Sequence, residues 1–385
     1  MPMDIQKKNV GEKNKKLREG YTTGTCAAAA AQGAVIFAFS EALPKSAKIL
    51  TPKGKYLEIT LLESNRGCTD NGDVYAVCAV KKDSGDDPDV TNGVLVYAKV
   101  TLEPKEEKGI VLMAGLGVGT VTKPGLACAV GQPAINPTPR RMIEQEIEKV
   151  VEEFEYSGRI SVEISIPKGV EIAKRTYNPR LGIVGGISVL GTSGIVEPMS
   201  EQALIDTIKV EMNMQKAAGA RYLVITPGNY GETFLKNTMK QGELYTVKCS
   251  NFLGDALDYA EESGFDGLLL VGHIGKFVKV AGGIFNTHSK YGDARLEIMS
   301  AHAALKGASQ KTIERLMNCL TTDDAISVLD EVQLREKTIE SILEKLDYHI
   351  KERTHKSIQI GAVTFSNQYG YLGQTKDAAK LIERL

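Results

Sequence analysis

Between residues 46 and 166 apolar and polar positions mostly alternate, the period of half-buried strands. Alternation and β-branched content predict strands at Lys48–Leu50, Tyr56–Leu62, Val74–Val80, Val94–Leu102, Ile110–Met113 and Ile160–Ile166. Thr51-Pro-Lys-Gly54 reads as the turn between the first two. One helix interrupts them: Met142, Ile143, Ile147, Val150, Val151 and Phe154 recur at helical spacing, behind Thr138 as N-cap and Pro139 at N1. From about 181 the rhythm becomes strand, loop, helix. Ile183–Leu190 precedes a helix over Ser200–Ala218 that Gly219 closes. Tyr222–Thr226, Leu244–Lys248 and Leu268–Val271 read as buried parallel strands, with helices from Asn251 to Gly264 and over Ile274–Ala281. Residues 296–348 read as helical, Ile358–Phe365 as a late strand and Thr375–Leu385 as a closing helix. The predicted fold is a strand-rich α+β domain, 20–180, followed by a Rossmann-like parallel α/β domain, 181–385, with the boundary at Asn178-Pro179-Arg180. Residues 1–19 read as a flexible polar tail.

The apolar run Cys26–Phe39, behind Lys13, Lys15, Lys16 and Arg18, mimics a secretory signal. Gln32 and Gly33 interrupt it, and its alanine content favours a buried helix capped by Thr22 or Thr23. A length of 385 residues suits two domains. The net charge of −1, from 47 Lys and Arg against 48 Asp and Glu, excludes a strongly basic nucleic-acid surface. Six cysteines form no C-x-x-C pair, which predicts reduced thiols in a cytoplasmic protein and no structural metal, and the run Cys26–Phe39 reads as too short and alanine-rich for a membrane span, which takes about 20 residues.

Small and polar residues gather where strands should end: Gly191-Thr-Ser-Gly194, Thr226-Pro-Gly-Asn-Tyr-Gly231, Cys249-Ser-Asn251 and Gly272-His-Ile-Gly-Lys276. In an open α/β sheet ligands bind at such ends. The phosphate motifs are incomplete. Gly275-Lys276 has Leu270 where a Walker loop needs glycine, and Gly115-Leu-Gly117-Val-Gly119 is followed by Thr120. A nucleoside without a pyrophosphate, such as S-adenosylmethionine, needs neither. Arg140 and Arg141 stand in a first helical turn, where cations are disfavoured by about 0.3–1 kcal/mol each. That placement suits a shared anion as well as plain solvent exposure. Lys123, Arg175, Arg180, Lys276, Lys279 and Arg295 extend a basic lining that fits a polycarboxylate. The acidic loop Asp83-Ser-Gly-Asp86-Asp87-Pro-Asp89 lacks EF-hand order; it reads as a solvated turn or as a carboxylate grip on ribose or a cation. His273 and His288 lie in a Gly-rich stretch, and no Ser-His-Asp order or Cys-His pairing suggests a covalent nucleophile.

These residues resemble the CbiD family, the cobalt-precorrin-5B C1-methyltransferases of anaerobic cobalamin synthesis. The matching stretches include Gly20-Tyr-Thr-Thr-Gly-Thr-Cys-Ala-Ala-Ala-Ala30, Gly85-Asp-Asp-Pro-Asp-Val-Thr91 and Ala134-Ile-Asn-Pro-Thr-Pro-Arg140. Gly117–Gly125, Gly185–Val196, Thr226–Asn229, Gly272–Lys276 and Gly283–Lys290 complete the set, from residue 20 to about 297. The resemblance implies methylation of C1 on a ring-contracted cobalt corrinoid by S-adenosylmethionine, giving cobalt-precorrin-6A and S-adenosylhomocysteine. Cobalt enters within the substrate. On that expectation Thr226, Gly228, Asn229, Gly231, Ser250 and Asn251 hold the methyl donor at the sheet edge. Thr22, Thr23, Lys123, Arg140, Arg141, Lys276 and Arg295 bind substrate, the arginines clamping its carboxylates across a cleft. His273 or His288 manages protons. The competing readings are a non-catalytic tetrapyrrole carrier or sensor, and a nucleotide-using α/β enzyme.

Overall fold

The alanine-rich run folds as one helix, Thr23–Ser40, in a computed structural model that describes residues 17–104, 108–238 and 244–385. Thr22 is its N-cap, and its hydroxyl accepts the Thr25 N–H at 3.2 Å. Thr23 through Ala31 are all buried, so this helix has no wet face and must be enclosed. It is long and apolar enough to cross a membrane, but it is wrapped by the core of the first unit.

The enclosure is a five-stranded sheet and a second helix. The strand order is Leu62–Cys68, Val74–Lys81, Leu95–Glu103, Arg159–Ser165, Gly109–Ala114, antiparallel except for the last pair. In Leu95–Glu103 every second residue, Val96, Ala98, Val100 and Leu102, is buried, as strand periodicity requires. Helix Pro137–Glu153 turns Met142, Ile143, Ile147 and Val150 inward and packs beside the alanine helix. The two helices meet at their N-terminal turns. A Cβ on Gly24 would stand 2.6 Å from Pro139 Cγ and 3.3 Å from Leu190 O, so only glycine permits this approach.

Four expectations change here. The second helix is capped by Asn136 with Pro137 at N1, one turn-start earlier than Thr138 and Pro139. Asn136 N–H is held by Val189 O at 3.0 Å, which fixes where the chain enters the helix. The segment 183–190 is not one strand. Ile183–Val184 pairs with Thr120–Val121, Gly186–Ile187 with Gly117–Val118, and Ile195–Val196 with Gly20–Tyr21. This stitching draws residues 181–200 into the first unit, so the two compact units divide at Ser200/Glu201 rather than at 178–180. Order also begins before residue 20. The Arg18 guanidinium forks on Asp83 (2.6 and 2.8 Å) and its N–H meets Asp86 Oδ2 at 2.7 Å. Residues 1–16 of the expected tail lie outside the described residues.

The second unit is built on a five-stranded sheet ordered Thr246–Lys248, Tyr222–Thr226, Gly267–His273, Gln359–Ser366, Gly370–Gln374. The first four strands are parallel and the last is antiparallel. Taken along the chain this is the order 2-1-3-4-5 of a doubly wound sheet, whose direction reverses between Tyr222–Thr226 and Gly267–His273. Leu223, Ile225, Leu268, Leu270 and Ile360 face helices Leu253–Ser263, Ile274–Ala281 and Arg335–Arg353. Val224, Leu269, Val271 and Phe365 face Leu235 and Leu381, on helices Asn229–Thr238 and Ala378–Ile382. The helical stretch resolves into Arg295–Leu305, Gln310–Met317, Thr322–Glu331 and Arg335–Arg353.

Replacing Gly24 by alanine forces Pro139 and Leu190 apart. Overpacking of this kind costs about 1–3 kcal/mol. The urea midpoint of Gly24→Ala should fall while the slope of the transition stays the same.

Candidate functional site

At the carboxyl edge of the parallel sheet the strands end in Thr226, Lys248 and His273. The expected donor-binding residues do come together here. Thr226 is fully buried, and its hydroxyl has no hydrogen-bond partner among the described residues. Helix Asn229–Thr238 starts directly behind it, because Gly231 lets the helix approach: a Cβ there would lie 2.8 Å from Thr226 Cβ and Val271 O. Beyond Gly228 there is open space where a side chain would stand. Asn229 Oδ1 accepts from Lys248 Nζ at 3.0 Å. Ser250 sits in the left-handed region at φ 51°, which turns the chain from the end of its strand into Asn251. Asn251 Oδ1 accepts from Lys276 Nζ at 3.1 Å and from the Thr287 hydroxyl at 3.2 Å. Lys276 Nζ also donates to Pro227 O at 2.5 Å and Ser250 O at 3.1 Å, so all three of its protons are engaged. Burial holds its pKa below the usual lysine value.

These groups form a polar edge where the strands end. They offer a buried unpartnered hydroxyl, neutral amide and hydroxyl groups, and an open glycine turn at the point where the sheet reverses. Thr287, from the loop after helix Ile274–Ala281 and within the matching stretch Gly283–Lys290, is part of this network, a contact with Asn251 that the spacing of the two in sequence does not announce.

Both histidines are caps. His273 Nδ1 accepts the Gly275 N–H at 3.1 Å at the start of helix Ile274–Ala281. His288 Nδ1 accepts the Lys290 N–H at 3.1 Å in an exposed turn. A ring nitrogen that accepts an N–H is unprotonated, so in each neutral ring Nε2 carries the proton. Each can donate through Nε2, but taking up a proton means giving up its cap. Burial lowers the pKa of His273, with Asp323 opposing, which keeps the ring neutral at pH 7. Asp323 accepts from Ser366 Oγ at 2.9 Å, a neighbour from the adjoining strand end that no sequence motif announces. Burial pushes the Cys26 and Cys249 thiols up to about 12, so neither is a thiolate at neutral pH.

The expected substrate ligands divide between the units. Lys276 and Arg295 lie in the second, where Arg295 forks on Asp293 (Nη2 to Oδ2, 2.8 Å). Thr22, Thr23, Lys123, Arg140 and Arg141 lie in the first. So does the loop Gly191–Gly194, contrary to its expected place at the edge of the parallel sheet. Gly194 O instead receives Thr22 N–H at 3.1 Å and the Thr25 hydroxyl at 2.8 Å. Arg140 is half-buried, and its guanidinium makes no hydrogen bond among the described residues. Arg141 is exposed, at 3.4 Å from the Thr138 hydroxyl, and Lys123 is exposed with its stem beside Gly182. The helix N-terminus has little to add. Pro137 and Pro139 carry no N–H and Arg140 N–H is held by Asn136 O, which leaves only Thr138 in that turn. Anion binding there rests on the guanidiniums.

The acidic loop is a knot rather than a solvated turn. Buried Lys82 donates to Ser84 Oγ at 2.5 Å and Asp89 Oδ2 at 2.6 Å. Burial pushes Asp89 up, yet Lys82 and the hydrogen bonds from Thr91 outweigh it and hold the carboxyl below its usual range. Asp83 is engaged by the Arg18 guanidinium, Asp86 by Arg18 N–H at 2.7 Å and Asp87 by Met199 N–H at 2.9 Å, so all four carboxylates of the loop hold contacts within the chain. Two clefts are lined by other residues. One, of about 560 Å³, is lined by Glu144, Glu148 and Tyr156; the other, of about 610 Å³, lies at the amino edge of the parallel sheet around Tyr222, Asp266 and Gln359.

The fold defines a two-unit α/β protein whose second unit is built on a parallel sheet ordered 2-1-3-4-5 and carries no complete phosphate-binding motif. Residues 10–198 match the CbiD family model and residues 286–376 the model of the CbiD C-terminal domain. The chain belongs to the CbiD family. It is 46% identical to the cobalt-precorrin-5B C(1)-methyltransferase of Ruminiclostridium cellulolyticum, over 92% of this chain and 90% of that one. It is 43% identical to the protein of the same name from Alkaliphilus metalliredigens, over 96% of each. Among solved structures, the cobalamin biosynthesis protein (cbiD) of Archaeoglobus fulgidus aligns with TM-score 0.38 and 29% identity, over 73% of this chain and 84% of that one.

The histidine geometry has a direct readout. Nitrogen NMR should show His273 as the Nε2–H tautomer at pH 7.5, with a titration midpoint below the ordinary value of about 6.5. Because the folded state resists protonation, its stability is undiminished above about pH 6.5. It declines as pH falls through the lower folded midpoint. His273→Asn, which can still cap, should remove part of that decline.

Proposed function

We propose that this chain carries out the activity in its relatives' name: it is a methyltransferase that methylates C1 of cobalt-precorrin-5B in cobalamin biosynthesis. The observation that carries the reading is identity of 43–46% along nearly the whole chain, through both units. S-adenosylmethionine is the methyl donor, and cobalt-precorrin-6A and S-adenosylhomocysteine are the products. The cytoplasm is its compartment, in keeping with six unpaired cysteines.

The donor, when bound, supplies a methyl group on a sulfonium, which an electron-rich ring carbon can take by in-line displacement. The protein must supply alignment more than covalent chemistry. The Rossmann-like sheet edge at Thr226–Gly231 and Ser250–Asn251 holds the nucleoside part, and the buried Thr226 hydroxyl gains its missing partner there. Arg140 and Arg141 take acetate or propionate carboxylates of the macrocycle, as charge-assisted pairs. His273 contributes its Nε2–H as a donor toward the sheet edge, since its other nitrogen is committed to the cap.

Anaerobic incubation with cobalt-precorrin-5B and methyl-labelled S-adenosylmethionine should add one labelled methyl to the corrinoid, with S-adenosylhomocysteine formed in step. Binding of both ligands without methyl gain would favour the tetrapyrrole carrier; absence of donor binding would sink the methyltransferase reading. The double variant Arg140→Ala, Arg141→Ala should raise the corrinoid KM by about ten- to a hundredfold, the scale of a lost charged hydrogen bond of about 1.5–3 kcal/mol. Its affinity for S-adenosylhomocysteine should be unchanged.

A further inference from the structure

Three oxygens from two separate strand-end loops converge on one ammonium. Pro227 O follows the strand Tyr222–Thr226, while Ser250 O and Asn251 Oδ1 follow Thr246–Lys248. The ammonium comes from a third element, since Lys276 stands in the first turn of helix Ile274–Ala281. Without a cation between them these oxygens would face one another with like partial charge. Ser250 adds to the need for a tie, because it is a non-glycine residue in the left-handed region. A lysine suits this junction because its three protons diverge from one point, whereas the planar fork of arginine cannot meet three oxygens arranged around a centre.

The tie continues outward. Asn251 Oδ1 also receives the Thr287 hydroxyl, Asn251 O receives Thr287 N–H at 3.0 Å, and Thr287 O receives Lys279 Nζ at 3.0 Å. Lys279 is one turn along the same helix and nearly fully buried, so one helix anchors both the strand-end loops and the loop that covers Asn251.

We infer that Lys276 is the positioning residue of the methyl-donor site: it sets the spacing of the Pro227 and Ser250–Asn251 loops and does not itself bind a substrate carboxylate. This rests on the donor lying at that sheet edge. With every proton of the ammonium engaged inside the chain, a substrate carboxylate would have to displace one of three short contacts. The same geometry predicts that substitutions rank by how many N–H groups they return to the junction.

The test is a series of Lys276→Met, Lys276→Gln and the unaltered chain. Calorimetry reads S-adenosylhomocysteine binding, and steady-state kinetics read the corrinoid KM. Lys276→Met should bind S-adenosylhomocysteine about ten- to a hundredfold more weakly, Lys276→Gln should fall between it and the unaltered chain, and the corrinoid KM at saturating donor should stay within about twofold. A merely structural lysine would lower the melting temperature without this split or this ranking, and that result overturns the inference. So does a raised corrinoid KM with unaltered donor affinity, which would make Lys276 a substrate ligand. If the unaltered chain itself fails to bind S-adenosylhomocysteine, the placement of the donor falls and the inference with it. If the unaltered chain binds it and Lys276→Met binds it equally well, only the inference falls.

Discussion

The first unit is organised by a helix that has no polar side. Alanine gains little from leaving water, about 0.8 kcal/mol per buried methyl-sized group, so Thr23–Ser40 is held less by what each residue buries than by how closely its surroundings fit. Small side chains let helix Pro137–Glu153, the sheet and the 190–194 loop all come close. That closeness has consequences along the chain. Gly24 against Pro139 sets the two helix starts side by side. Gly24 N–H, Thr22 N–H and the Thr25 hydroxyl recruit Leu190 O and Gly194 O, which pulls a segment far away in sequence into the same unit. The first strand, Gly20–Tyr21, then pairs with Ile195–Val196, and Tyr21 N–H reaches Asp83 O. Stretches that look like separate motifs in sequence are neighbours around one helix start.

Legibility in the sequence follows the strength of one-dimensional signals. Tyr222–Thr226 and Ile274–Ala281 have the bounds expected of them, because an apolar run between polar turns and a helical repeat each end sharply. The strands Leu62–Cys68 and Gly370–Gln374 escape a reading of pattern. Both lie at sheet edges and contain no fully buried residue, so neither carries the alternation that burial imposes on a central strand. Ile183–Leu190 resembles one strand because its residues are mostly apolar. It is cut at Gly185 because its partners, Thr120–Val121 and Gly117–Val118, are themselves two short pieces. Asn136 outranks Thr138 as the cap through a long-range hydrogen bond to Val189, which local propensity cannot register.

The site shows the same division. Strand-end loops are legible as a group, since small residues after buried strands are a local pattern. The state of the charged residues within and around them is not. Lys276 reads from sequence as part of an open basic lining, yet its ammonium is engaged inside the chain by three oxygens. Lys82, which no motif singles out, is tied in the same way by Asp89 and Ser84. Asp83 and Asp89 have the composition of a ribose grip and instead close their own loop. Arg140 is the contrary case: it is half-buried, and its guanidinium makes no hydrogen bond among the described residues.

Methyl transfer from a sulfonium to carbon asks for little acid or base at the moment of bond formation and a great deal of alignment. The titratable groups of this chain are distributed accordingly. His273 and His288 use the nitrogen that would accept a proton to cap a turn, and Lys276 uses its protons to fix two loops. An enzyme that relied on general-base catalysis would leave such a nitrogen open toward its substrate. Here three groups with a pKa lowered by burial, His273, Lys276 and Lys279, stand close together in the chain, and all three hold backbone in place. On the proposed placement of the donor at this edge, the reactivity belongs to the two ligands and the protein fixes the line between them.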